Sequence, residues 1–339
     1  MIKCCLFLFV SVSHALNSED CQHTQVHPTV CNYMSDFHKN YSNHTELKLR
    51  AGHILNINNI VLNGVEFGHT SRSDRFQHEL KRNTLLKTEK IRQNIDRKFI
   101  NEHKQLMSSY KLPPIDWRNV NGVSYVTSVS NQGVCGGCFA FAAASVLEYW
   151  SKRHGHPKKL SVQHLMDCTS TKNAPNYGCE GGLMEYVFDY GRLNSIVLET
   201  QYPFFERDSV CPKQELLTHV AVANWKVLEK KYTHNAEQQL ERILHEYGPV
   251  SVGVDSTQWD NYKSGIFKHE MCTPEIDHAV TIVGYTEKFW IIKNSWGTDW
   301  GMDGYIHLEK GHNACGVAEY IAYVTSAYPI VVERPSIMW

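Results

Sequence analysis

The sequence predicts an α+β fold of two lobes behind a separate helical leader, and three observations carry that expectation. Helical signals come first: residues 140–150 form an Ala-rich run, and 161–166 read as a capped helix start. β-like runs follow after about residue 218, at 249–254, 279–285 and 289–292. Helices followed by strands in one unit indicate α+β. Ahead of both, Leu112-Pro113-Pro114 breaks the chain. The stretch 46–104 before that break has no proline and carries Leu47, Ile54, Ile57 and Val61 at helical spacing.

The start supplies the compartment. Lys3 precedes the apolar run 4–10, and Ser13-His14-Ala15 offers the small-x-small pattern of a signal-peptidase site. Residues 1–15 therefore read as a signal peptide rather than a buried strand. The run is far shorter than the ~20 residues that span a bilayer, and no later segment is long enough, so no membrane span is expected. Entry into the secretory pathway makes Asn40-Tyr41-Ser42 and Asn43-His44-Thr45 candidate glycan acceptors and permits disulfides.

At 339 residues, 42% apolar and 20% charged, the composition is globular. Lys+Arg number 34 against 35 Asp+Glu, and no basic stripe breaks the balance, which argues against a nucleic-acid partner. The near-zero charge divides unevenly. Residues 16–110 hold 13 Lys+Arg and 10 Asp+Glu, giving +3; residues 111–339 hold 20 and 25, giving −5. Opposite signs suggest that the first segment docks on the second, although an ordinary helical domain with incidental charge reads equally well. Eleven cysteines, an odd number, hint at paired cysteines with one spare.

The densest motif runs from Asn131 through Gln132 and Cys135-Gly136-Gly137-Cys138 to Ala142. A cysteine opening a helix is favoured as thiolate by the positive end of the helix, and the unpaired N–H groups there suit an oxyanion. Three readings compete: a redox dithiol, half of a zinc site, and one structural plus one nucleophilic cysteine. Zinc needs a second matching pair, which is absent, and a thioredoxin-like strand order is not evident. The third reading requires a base. His278 supplies it at the mouth of an apolar strand, followed by Asn294, Trp296 and Trp300, where an amide can orient an imidazole under indole shields.

Here the sequence resembles the papain-like cysteine proteases, most closely their cathepsin L-like branch, over nearly its whole length. Asp116-Trp117-Arg118 looks like the mature start, and the segment from Gln132 to Cys138 like the nucleophile segment. Further matches are Gln163 with Asp167-Cys168, the loop from Gly178 to Met184, the second-lobe run 248–252, and Ser264-Gly265-Ile266. In the leader, Glu46, Arg50, Asn56 and Ile60 fit four of six positions of the branch's helical propeptide motif; His53 and Gly64 depart from it.

The resemblance implies a papain-like two-lobed fold, with a helical lobe at about 111–218 and a β-barrel-like lobe at about 219–330. A short C-terminal tail follows, and residues 16–110 form an inhibitory propeptide cleaved between about Ser109 and Pro113. It implies an endopeptidase with Cys138 as nucleophile in an ion pair with His278, and Asn294 fixing the imidazole. Trp296 and Trp300 would shield that bond, and Gln132 with the Cys138 N–H would form the oxyanion hole. Gly181 and Gly182 would let an extended substrate pair along the enzyme edge. Leu183, Met184, Gly253, Ala279 and Tyr320 would line an apolar pocket, without an acid, for the second residue before the scissile bond. The implied bridges are Cys135–Cys179, Cys168–Cys211 and Cys272–Cys315, each worth roughly 2–4 kcal/mol. Cys21 and Cys31 remain as an additional pair that the family does not predict.

Two departures flank the nucleophile: Gly137 stands for the usual Ser or Ala, and Phe139 for Trp or Tyr. Neither removes a catalytic atom. The expectation is a monomeric prepro-endopeptidase of the secretory pathway, lysosomal or extracellular, acting on proteins or peptides without metal or cofactor. The alternatives are a catalytically impaired homologue serving as a binding or decoy protein and, more distantly, a redox protein. Acidification would protonate His residues on both sides, eight in 16–110 and ten after it, and loosen the leader.

Overall fold

The computed structural model describes residues 15–22, 26–57, 59–76, 79–80, 111–171, 174–194, 196–212, 218–229, 235–273 and 275–329. Residues 1–14 of the expected signal peptide, the leader stretch 81–110 and the tail 330–339 lie outside them.

The leader folds around its own small core. Helices α1 (Ser18–Gln22), α2 (Pro28–Asp36) and α3 (His44–Leu55) bury Val30, Tyr33, Met34, Leu47 and Ile54 together. The Cys21–Cys31 disulfide ties α1 to α2. Pro28 opens α2, where its missing N–H costs nothing, and Asn43 caps α3 by accepting the Thr45 and Glu46 N–H groups at 2.9 and 3.0 Å. Arg50 of α3 bonds Glu46 one turn earlier and reaches Glu79, each at 3.0 Å. Buried Asp74 receives the Tyr33 and Tyr41 hydroxyls and Lys39. The hairpin β1 (Ile60–Leu62) and β2 (Val65–Phe67) turns at Asn63-Gly64, both with positive φ as such a turn requires.

In the first lobe, β3 (Ile115–Asp116) precedes α4 (Cys138–Arg153), α5 (Val162–Thr169), the short strands β4 (Ser170–Thr171) and β5 (Ala174–Pro175), α6 (Met184–Leu193) and β6 (Ile196–Val197). Helix α4 is buried almost throughout, because its alanines let it lie close against neighbouring strands. Ser161 caps α5 by accepting the His164 N–H at 2.9 Å.

The second lobe holds β7 (Thr218–Glu229), α7 (Ala236–Tyr247), β8 (Val250–Val254), β9 (Tyr262–Ser264), β10 (Ile266–Phe267), β11 (His278–Tyr285), β12 (Phe289–Lys293), β13 (Tyr305–Glu309) and β14 (Tyr320–Pro329). Its main sheet runs β10-β13-β12-β11-β8-β14-β7-β6, with β3 added on β11. The sheet ends stay apart, so the expected barrel-like lobe is an open sheet, with no closed barrel among the described residues. Every residue of β11 is buried, which explains its unbroken apolar run.

The leader docks by strand addition. β2 pairs antiparallel with β9, Glu66 opposite Ser264 and Phe67 opposite Tyr262. Val65 enters the second lobe's core. Gly265 makes this approach possible: a Cβ there would lie 2.1 Å from the Gly64 carbonyl oxygen.

Candidate active site

Three separated stretches meet between the lobes. Cys138 is the first residue of α4, His278 the first of β11, and Asn294 follows β12 directly. β11 and β12 are antiparallel with Thr281 opposite Lys293, and extending that register outward brings 294–296 alongside His278. His278 Nε2 lies 2.8 Å from Asn294 Oδ1, which also accepts the Ser295 N–H. An amide oxygen only accepts, so Nε2 carries the proton and Nδ1 keeps its lone pair. Nδ1 is buried and has no hydrogen-bond partner.

Cys138 is buried and is the free cysteine among the described residues. The other eight form Cys135–Cys179, Cys168–Cys211, Cys272–Cys315 and Cys21–Cys31. Backbone N–H groups of Ala279, Phe139 and Cys138 itself favour the thiolate, and Cys138 and Ala279 share one buried cluster across the lobe boundary. Gly137 leaves the helix start without a side-chain cap, and its carbonyl takes the Ala140 and Phe141 N–H groups, so those of Cys138 and Phe139 stay available. A Cβ on Gly137 would sit 2.7 Å from Met166 Sδ, which accounts for glycine there. Phe139 is wholly buried in the first lobe's core.

Gln132 lies beside this start: its Nε2 donates to the Cys135 carbonyl at 2.9 Å, and its Oε1 accepts from Ser295 Oγ at 2.5 Å. Trp296 stacks on His278, ring centres 4.9 Å apart and planes 27° apart. Trp300 meets Trp296 edge-on at 5.0 Å and donates its Nε1–H to the Trp259 carbonyl. Asp277 accepts from the Ser256 N–H and hydroxyl, an anchor for the turn before β11.

One site residue was not foreseen. Arg72 of the leader lies with its guanidinium carbon 3.7 Å from the Trp296 ring centre and its Nε 2.7 Å from Asp260 Oδ1. Its side chain is 2% exposed, and Nη2 has no hydrogen-bond partner. Thr70 Oγ1 donates to the Asp260 carbonyl, Ser73 Oγ to Asn261 Oδ1, and Arg75 Nη1 to the Gly133 carbonyl. The signal in the sequence was slight: a lone Arg among Thr70, Ser71 and Ser73, 188 residues before its acid.

Burial and nearby charge set the electrostatics of the site. Burial, with the Asp277 charge, pushes the Cys138 thiol up to about 12. Burial also drives His278 down to about 3, and the Arg72 cation adds to that push against the Asn294 bond. Burial thus opposes both charged forms of the expected thiolate–imidazolium pair.

Leu183, Met184, Ala279 and Tyr320 share one apolar cluster, and Gly253 pairs with Ala279 across β8 and β11. Tyr320 of that cluster donates its hydroxyl to buried Glu185. Gly181 holds a positive φ, and the missing Cβ of Gly182 makes room for Asn176, whose Oδ1 accepts the Leu183 N–H at 2.7 Å. Asn40 and Asn43 are both exposed, the latter engaged as the α3 cap.

Residues 113–325 match the family described as papain family cysteine protease. A cathepsin L-like protein of Caenorhabditis elegans is 37% identical over 231 residues, 64% of this chain and 64% of the relative. Procathepsin L of Rattus norvegicus is 36% identical over 233 residues, 64% of this chain and 65% of the relative. The chain thus spans just under two thirds of the length of the relatives it matches. Among solved structures, the digestive procathepsin L2 of Tenebrio molitor superposes with a TM-score of 0.71 at 25% identity, covering 87% of this chain and 98% of that one.

Proposed function

The chain belongs to the papain family of cysteine proteases, and from that premise we propose that it is a thiol endopeptidase made as a zymogen. One observation carries the reading: a free, buried thiol at an uncapped helix start, adjoining the strand whose first residue is an amide-oriented histidine. Residues 1–15 would be removed on secretion, 16–110 would act as the inhibitor, and 111–339 would be the working enzyme. The disulfides and the cathepsin-like relatives fit a secretory or lysosomal protein, and no helix among the described residues is long and apolar enough to cross a membrane. We place the working enzyme, a monomer, in an acidified compartment or outside the cell, and assign Asn40 and Asn43 of the leader as glycan sites.

Once the leader leaves, water and the helix end stabilise charge, and the proton passes from Cys138 Sγ to His278 Nδ1. The thiolate attacks the scissile carbonyl, whose oxygen is held by the Cys138 N–H and Gln132 Nε2. His278 then gives its proton to the leaving amine, and a thioester remains on Cys138. Water, deprotonated by His278, attacks the thioester and releases the acid and the thiol. Asn294 keeps the imidazole in the one tautomer that serves both transfers.

On the acyl side, Tyr320 with Glu185 narrows the pocket floor, so the second residue before the cut would be apolar and of modest size, such as Val, rather than Phe. A site that retains thiol, imidazole, amide and oxyanion donors gives no support to a decoy role. The test is labelling of the acid-treated full-length protein with an epoxysuccinyl probe, alongside peptide hydrolysis. One label, on Cys138, that disappears in Cys138→Ala together with hydrolysis supports the reading. Labelling or hydrolysis that survives the substitution overturns it.

A further inference from the structure

The cradle that Arg72 fills remains on the catalytic domain after the leader is removed. It consists of the Trp296 indole face and the Asp260 carboxylate, with Asn261 adjoining. We propose that this cradle is a substrate subsite for a cationic side chain, Arg or Lys, within the first two residues after the scissile bond. The inference rests on the protease reading above.

The side of the cut follows from the chemistry. His278 protonates the leaving amine, so the part of the cleft beyond the imidazole holds the leaving half of the substrate. Trp296 stacks on that imidazole, and the cradle is built on Trp296. The pocket of Leu183, Met184, Ala279 and Tyr320 serves the acyl half.

The chemical class follows from what the leader places there. An indole face binds a guanidinium or ammonium through its ring quadrupole, and the neighbouring carboxylate completes a charge pair. Asp260 keeps its side chain 20% exposed even under the leader. The leader thus shows the enzyme's own preference: its inhibitor occupies with Arg72 a position that a basic substrate residue would take. A Glu at that place would meet Asp260 and be rejected.

The experiment uses the mature enzyme released from the full chain, with internally quenched peptides. All share one acyl half; the first or second leaving-side residue is Arg, citrulline, Ala or Glu. Arg at one of these positions is expected to raise kcat/KM about tenfold over Ala, the scale of a cation–π contact plus a partly exposed charge pair. Citrulline, the same shape without charge, should lose most of that gain, Glu should fall below Ala, and the Arg advantage should shrink as salt rises. Asp260→Asn should bring the Arg-to-Ala ratio towards one, with rates normalised to probe-titrated thiol. Cleavage of all peptides at equal rates, or an equal advantage for citrulline, overturns the subsite and leaves the protease standing. Cleavage of none overturns the protease reading and the subsite with it.

Discussion

His278 Nε2 donates to Asn294 Oδ1 at 2.8 Å, and that bond settles which imidazole nitrogen is left for the thiol. Asn294 holds the ring but touches no reacting atom. Asn294→Ala should therefore lower kcat with KM nearly unchanged. It should also leave the thiol reactive to small alkylating agents, since Cys138 itself is intact. Steady-state kinetics beside an alkylation rate check this.

Gln132 has a different signature. Its amide would bind the oxyanion, which exists fully only in the transition state. Gln132→Ala should cost roughly 10²–10³ in kcat, the usual effect of losing one such donor. Because Gln132 Oε1 also accepts from Ser295, the folded fraction is followed by circular dichroism. A KM effect without a kcat effect would remove Gln132 from the oxyanion hole.

Arg72→Ala should weaken the leader's hold. It removes a buried cation from Trp296 and leaves Asp260 without its partner. In the intact zymogen at near-neutral pH, probe labelling of Cys138 should accelerate about tenfold or more, since breaking a buried charge pair costs several kcal/mol. Arg72→Lys, which keeps the charge but not the planar fork, should fall between the two.

Acid should open the zymogen, and the sign follows from His278. Its value in the covered site, about 3, lies below the ordinary 6.5. The covered state therefore binds fewer protons than the open one between those values. Closure is fully favoured above about pH 6.5 and loses ground as pH falls towards 3. The charged and titratable groups around the ring, Arg72, Cys138 and Asp277, add a cation that opposes protonation. In a Cys138→Ala zymogen, which cannot process itself, trypsin should cut the leader faster at about pH 5 than at about pH 7. Adding His278→Gln should flatten that difference. A pH-independent cutting rate in Cys138→Ala would sink the idea.

Tyr320 separates size from polarity in the acyl-side pocket. Tyr320→Ala should widen the preference to Leu and Phe and cost about 3–5 kcal/mol of stability, as for other large buried aromatics. Tyr320→Phe should leave the size preference alone and cost about 1–3 kcal/mol, because Glu185 loses a hydroxyl donor while staying buried. Peptide-library profiling and chemical denaturation read the two effects separately.

Much of the fold was legible because its signals are local. The capped start at Ser161 and the unbroken apolar run of β11 follow from short-range sterics and burial, whereas Val61, read at helical spacing, lies in strand β1. Cys138, His278 and Asn294 were legible through their motifs, and the odd cysteine count already left one thiol over among eleven. The reason for Gly137 was not legible, since it lies in Met166, on the next helix.

The sequence by itself determined the order of elements through periodicity, caps and spacing; its motifs offered candidate reacting groups, and its charge split left a docking leader as one of two readings. Only the tertiary structure decided what the leader does at the site. Arg72 reaches Asp260 because β2 pairs with β9, and that pairing depends on Gly265 lacking a side chain. Burial of Cys138 and His278, which opposes charge on both, is likewise a tertiary outcome, because the cost of burying charge depends on what surrounds the group in space and not on its neighbours in the chain.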